Sequence, residues 1–172
     1  LRDTPLSQLA THAANAALMD AKVEPTDVDH LVWGNVLPVD PDGFYTGRVA
    51  ALNVGMPEES CALQVNRACG SGTQAIITAA QQIMTGHSKI ALAGGGENFS
   101  RGGFVNQKMR WGAIRGAQPF EDSVEWAYND PFGHGLMGVT GENLADDFQY
   151  LREDMDKWGE MSQQRAGVAM LS

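Results

Sequence analysis

At 172 residues the chain is one domain's worth by size and long enough to bury a real core. Hydrophobic residues at 43% and charged residues at 19% fit an ordinary soluble globular protein. A net charge of −9 argues against a nucleic-acid binder, which needs a basic face.

The charge is unevenly spread. Phe120 to Glu160 holds eleven acids against only Arg152 and Lys157, whereas Arg101 to Pro119 holds Arg101, Lys108, Arg110 and Arg115 and no acid. A phosphate-bearing ligand would prefer the second segment; a solvated basic loop is the equal alternative. Cys61 and Cys69 do not make a disulfide framework. A strand through Cys61 carries it away from Cys69, so the expectation is a reduced protein of the cytoplasm or an organelle matrix. No stretch approaches a membrane span, and the N-terminus lacks a signal-peptide layout. The four histidines lack metal-ligand spacing, so no metal site is expected; His134 alone falls in a candidate site loop.

In chain order, Thr4-Pro5 reads as a helix start, with Thr4 as cap and Pro5 first in the helix. Leu6, Leu9, Ala10, Ala13, Ala14, Ala17 and Leu18 follow at helical spacing. His30 to Val36 reads as a strand buried on at least one face. Pro38 to Gly43 is a loop, and Tyr45 to Leu52 a second helix closed by Asn53-Val54-Gly55 and Pro57. Leu63 to Asn66 is a strand, Thr73 to Met84 a helix with one apolar side, and Lys89 to Ala93 a strand ending in three glycines. Strands and helices alternate, so a layered α/β fold is expected, with ligands at the carboxyl ends of its strands. Phe99 to Gly138 has no clear period. Thr140 to Phe148 and Arg152 to Leu171 read as helices, the second weakened by Gly159 and Gly167 at about 1 kcal/mol each.

Asn66-Arg67-Ala68-Cys69-Gly70-Ser71-Gly72 is the most informative stretch. It sets a cysteine between a strand and a helix. First-turn amides lack partners inside a helix, and its dipole leaves positive charge there, which favours the nucleophilic thiolate. Gly70 and Gly72 leave room for a bulky substrate. The Cys69 N–H would point at an oxyanion formed on an attacked carbonyl. A free cysteine is also often a small buried apolar residue. On the residues alone, both readings stand.

The same stretch resembles the acyl-enzyme signature of the thiolase family. Ala93-Gly94-Gly95-Gly96-Glu97-Asn98-Phe99-Ser100, Lys108-Met109-Arg110-Trp111-Gly112, Leu136 to Ala145 and Ser162-Gln163-Gln164-Arg165-Ala166 resemble further thiolase blocks, in order across nearly the whole chain. The resemblance implies acyl transfer between coenzyme A thioesters through a cysteine acyl-enzyme, by thiolytic cleavage of 3-ketoacyl-CoA or condensation of acyl-CoA. It implies Cys69 as nucleophile, with coenzyme A as substrate and no covalently bound cofactor. It places Met137 near the pantetheine and acyl group, Leu136 at the coenzyme A pocket, and Tyr128 and Phe132 in the covering loop. It implies a half-domain at 1–98, with the first strand missing, and a loop domain at 99–172. It also implies a homodimer or homotetramer formed beside the nucleophile strand.

Leu136 departs from the histidine of many biosynthetic-type thiolases; Leu151 and Gly159 depart from a capping serine and an alanine. The family's base histidine, second cysteine and water-holding asparagine belong to a second half that this chain does not reach. A fragment that is acylated but does not turn over is therefore expected. A ketosynthase-like condensing enzyme, or a non-catalytic module binding acyl-CoA or lipid, are the alternatives.

Overall fold

The computed structural model describes residues 1–171. Two compact units are present, Leu1–Ala127 and Tyr128–Ser172. The first contains α1 (Leu6–Ala21), β1 (His30–Gly34), α2 (Thr46–Asn53), β2 (Cys61–Val65), α3 (Ser71–Met84) and β3 (Ala91–Gly95), followed by the short β4 (Phe104–Val105) and β5 (Glu121–Asp122). The helix α4 (Ser123–Tyr128) crosses the division in sequence by one residue. The second unit contains β6 (Asn129–Asp130), β7 (Gly135–Leu136), α5 (Met137–Phe148) and α6 (Arg152–Leu171).

The three main strands form one parallel sheet in the order β2-β1-β3. The chain leaves β1 toward one side through α2 and crosses back from β2 to the far side through α3. Right-handed crossovers running in opposite directions put their helices on opposite faces. The core follows that division. Leu31 and Trp33 of β1 pack with Ala10, Ala14 and Leu18 of α1 and Ala50 and Ala51 of α2. Val32, which points the other way by the period of two, packs with Ala75 and Ala79 of α3. The central strand is buried on both faces and therefore reads as an unbroken apolar run.

Several expected boundaries move. Helix α1 starts at Leu6 rather than Pro5, because Pro5 has an extended ψ of 147° and the start has no side-chain cap of its own. The cap comes from 34 residues away: the Leu6 N–H donates to Asp40 Oδ2 at 3.0 Å, and Arg101 Nε donates to Asp40 Oδ1 at 2.6 Å. Strand β1 ends at Gly34, two residues before the expected Val36, where a carboxylate takes over the backbone. Strand β3 runs over Ala91–Gly95 rather than 89–93. Its glycines continue the strand because the sheet needs them bare: a Cβ on Gly94 would lie 2.8 Å from the Trp33 ring, and one on Gly95 2.9 Å from the Gly34 carbonyl. The unperiodic 99–138 stretch holds two-residue strands, β4 pairing with β5 and β6 with β7, which are too short to show a period. Helix α5 begins at Met137, three residues before the expected start. Helix α6 runs unbroken through Gly159 and Gly167.

Asp29 joins the entries of all three strands. Its N–H donates to the Ile90 carbonyl and its carbonyl accepts from the Cys61 N–H. Its carboxylate accepts from the Ser88 hydroxyl and, at 2.9 Å, from the Lys89 N–H. Burial pushes this carboxyl up, but the donations from Lys89, Ser88 and Ile90 outweigh it and hold the group below its ordinary 3.8. A depressed carboxyl stabilises the fold above its unfolded value and loses that contribution as pH falls through its folded value. Asp29→Asn is therefore expected to be less stable than the parent in urea at pH 7, with the gap closing below pH 3.8. A gap that stayed constant over that range would contradict this role.

Candidate active site

Cys69 lies between β2 and α3, in the turn 66–70 that joins them, and is exposed. The N-cap of α3 is Gly70, so the cysteine stands one residue before the cap, and the helix starts two residues earlier than its apolar period suggests. The turn is closed by local hydrogen bonds. Gly70 N–H donates to the Arg67 carbonyl at 3.1 Å, and Ser71 N–H to the Ala68 carbonyl at 3.0 Å. The Ser71 hydroxyl accepts from the Arg67 N–H at 2.9 Å and donates to the Ala68 carbonyl at 2.7 Å. Ala68 has φ 46°, in the left-handed region that residues with a side chain rarely adopt.

The carboxyl ends of the three strands converge on this turn. A cleft of about 200 Å³ is lined by Gly34, Asn35 and Val36 after β1, by Ala68, Cys69, Ser71 and Gly72 around the turn, and by Gly95, Gly96 and Glu97 after β3. Such crevices beyond the strand ends are where open α/β sheets take ligands. Gly34 makes the convergence possible: a Cβ there would lie 2.7 Å from the Ser71 carbonyl and 3.0 Å from the Gly72 nitrogen. Gly72 differs, since a Cβ there would meet nothing within 4 Å and would stand in open space. The helix start thus rests on bare backbone while the space beside its first turn stays clear for a ligand.

Glu97 is the one carboxylate lining the cleft, and none of the lining residues is a histidine. Its oxygens accept from Asn35 Nδ2, from the Val36 N–H at 2.9 and 3.1 Å, and from the Leu37 N–H at 3.3 Å. The cleft therefore presents a thiol beside a helix amino end, with its carboxylate engaged by backbone donors. Among the described residues no group of three or more His, Cys, Asp or Glu could hold a metal ion, and no helix is long and apolar enough to cross a membrane.

The other expected site residues all come from the second unit. Tyr128 precedes the β6–β7 hairpin, Phe132 sits in its turn, Leu136 lies in β7, and Met137 opens α5. Phe132 is 86% exposed, and Leu136 and Met137 are exposed as well. Phe132 and Leu136 belong to the β6–β7 hairpin, and Tyr128 and Met137 flank it in sequence. His134 N–H donates to Asp130 Oδ2 within the same hairpin. Sequence reasoning missed Asn35, Asn66 and Glu97 as parts of the site. The one available signal was Glu97 directly after the three glycines.

The family model "Thiolase, N-terminal domain" matches residues 1–171. The chain is 41% identical over 170 residues to beta-ketothiolase BktB of Cupriavidus necator, covering 99% of this chain and 43% of that protein. It is 38% identical over 166 residues to the mitochondrial 3-ketoacyl-CoA thiolase of Homo sapiens, covering 96% and 42%. The crystal structure of the human mitochondrial 3-ketoacyl-CoA thiolase in complex with CoA superposes with a TM-score of 0.93 at 37% identity, over 98% of this chain and 43% of that one. The Bacillus anthracis acetyl-CoA acetyltransferase superposes with a TM-score of 0.82 at 34% identity, over 90% and 39%. The chain thus spans less than half the length of these relatives.

The glycines make the site's packing testable. Gly34→Ala forces the helix start off β1 and is expected to cost about 1–3 kcal/mol in urea unfolding. Gly72→Ala, in open space within a helix, is expected to be neutral or to stabilise by up to about 1 kcal/mol. Equal losses from both would contradict the contact at Gly34.

Proposed function

We propose, since the chain belongs to the thiolase family, that it carries the acyl-accepting site of an enzyme that moves acyl groups between coenzyme A thioesters. The observation that carries this reading is the exposed Cys69 at the amino end of α3, in a cleft walled by glycines. The Cys69 thiolate attacks the thioester carbonyl, the Cys69 N–H donates to the oxygen as it gains charge, and coenzyme A leaves as its thiolate. A second acceptor then takes the acyl group: coenzyme A in thiolytic cleavage, or the carbanion of another acyl-CoA in condensation.

The cleft offers no histidine and no free carboxylate, so the groups that move protons in turnover come from outside this cleft. Nucleophile and base act as a unit, and the chain alone takes up an acyl group without cycling. Residues 1–98 serve as the half-domain that holds the nucleophile, and 99–172 as a loop domain. In the latter, Tyr128, Phe132, Leu136 and Met137 contact the pantetheine and acyl chain. Their exposure in and beside one hairpin supports a role in binding. A homodimer forms along the outer edge of β2, where Leu63 is 40% exposed and the strand pairs only with β1 among the described residues. Two free, exposed cysteines favour a reducing compartment, the cytoplasm or an organelle matrix.

Intact-mass analysis after incubation with acetyl-CoA tests the reading. One acetyl group is expected on Cys69, lost in Cys69→Ala and retained in Cys61→Ala. Acyl-CoA binding by calorimetry with no adduct in any variant would overturn it in favour of a binding module.

A further inference from the structure

The carboxylate nearest a reactive cysteine is ordinarily the first candidate for its base. The bonding of Glu97 points elsewhere. It is half-buried, and the donors it serves are the Asn35 amide and the Val36 and Leu37 N–H groups on the segment that follows β1. The same segment presents the Val36 carbonyl to Asn66, whose Nδ2 donates to it at 3.1 Å. Asn66 Oδ1 in turn accepts from the Ala68 N–H at 3.0 Å. Ala68 is the left-handed residue immediately before Cys69, and a non-glycine residue held there costs of order 1 kcal/mol. Ser71 holds the carbonyl side of Ala68 with its hydroxyl and its N–H. Ala68 is therefore clamped on one side by its own helix and on the other by a relay that begins at Glu97. Such strain persists where the surroundings over-determine it.

We propose that Glu97 and Asn66 are positioning residues for the acyl-accepting Cys69, acting in series through the Val36 peptide to hold Ala68 left-handed and so aim the sulfur into the cleft. This inference rests on the acyl-acceptor reading of Cys69. Neither residue takes or gives a proton in it.

The relay makes a prediction opposite in sign to simple electrostatics. Glu97→Gln removes a negative charge from the cleft, and relief of like-charge repulsion alone would speed alkylation of the Cys69 sulfur. As a positioning residue, Glu97 loses an acceptor in that variant, the 35–37 segment loosens, and alkylation slows. Cys61, exposed on β2 of the same unit, serves as an internal control thiol.

The experiment follows iodoacetamide alkylation of both thiols by peptide mass spectrometry in the parent, Glu97→Gln, Asn66→Ala and the double variant. Each single change is expected to slow Cys69 about fivefold while leaving Cys61 unchanged, and the double variant is expected to be no slower than the slower single one. Asn66→Ser, at an exposed position, keeps an acceptor for the Ala68 N–H but falls short of Val36, and is expected to slow Cys69 as well. It carries the test should Glu97→Gln not fold. A faster or unchanged Cys69 in these variants, equal changes at both cysteines, or single effects that multiply would overturn the relay. A parent Cys69 no more reactive than Cys61 would overturn the acyl-acceptor reading itself, and with it the inference.

Discussion

The first turn of α3 lies directly against the backbone of β1 at Gly34, and the rest of the site depends on that contact. Without a side chain at this position, the helix start, the end of the central strand and the glycines of β3 come together at one end of the sheet. Cys69 is carried to that point as part of the turn before the helix. The same bare backbone leaves the Gly72 side of the cleft open. Packing and access thus come from glycines that do different work: Gly34 and Gly95 are bare because another chain segment occupies the place of a Cβ, and Gly72 is bare beside empty space.

Three carboxylates stitch this arrangement across long sequence distances. Asp29 ties the strand entries together, Asp40 caps α1 from the loop after β1, and Glu97 holds the segment 35–37. Each accepts from backbone N–H groups that no strand or helix bond would otherwise use, which is how irregular chain is satisfied when it is partly withdrawn from water. These three acids are structural in this sense, while the long acidic run beyond Phe120 is mostly solvated.

Much of this was legible in the sequence, and the remainder was hidden for a physical reason. Helical spacing of apolar residues located α1, α3, α5 and α6 to within a few residues, and the apolar run His30 to Val36 located the central strand. Cys69 stood out because a thiol between a strand and a helix, followed by glycines, has a chemical meaning. Glu97, Asn35 and Asn66 did not, since the bonds that join them to the site's other segments span 30 to 62 residues and no local pattern encodes such a bond. The cap of α1 was misplaced for the same reason: Thr4-Pro5 is a true local signal, but Asp40 satisfies the helix start. The hairpin that holds Phe132 and Leu136, with Tyr128 and Met137 flanking it in sequence, escaped notice as structure because its strands are two residues long.

On the proposed reading, an acyl group on Cys69 has its carbonyl oxygen against the Cys69 N–H, in the turn that leads into α3. Isotope-edited infrared spectroscopy of the protein acetylated with carbonyl-labelled acetyl-CoA reads that contact directly. The thioester carbonyl stretch is predicted to fall to a lower frequency in the folded protein than in the same adduct unfolded in denaturant, because hydrogen bonds to the oxygen weaken the C=O bond. An identical frequency in both states, or label found on Cys61, would contradict the account.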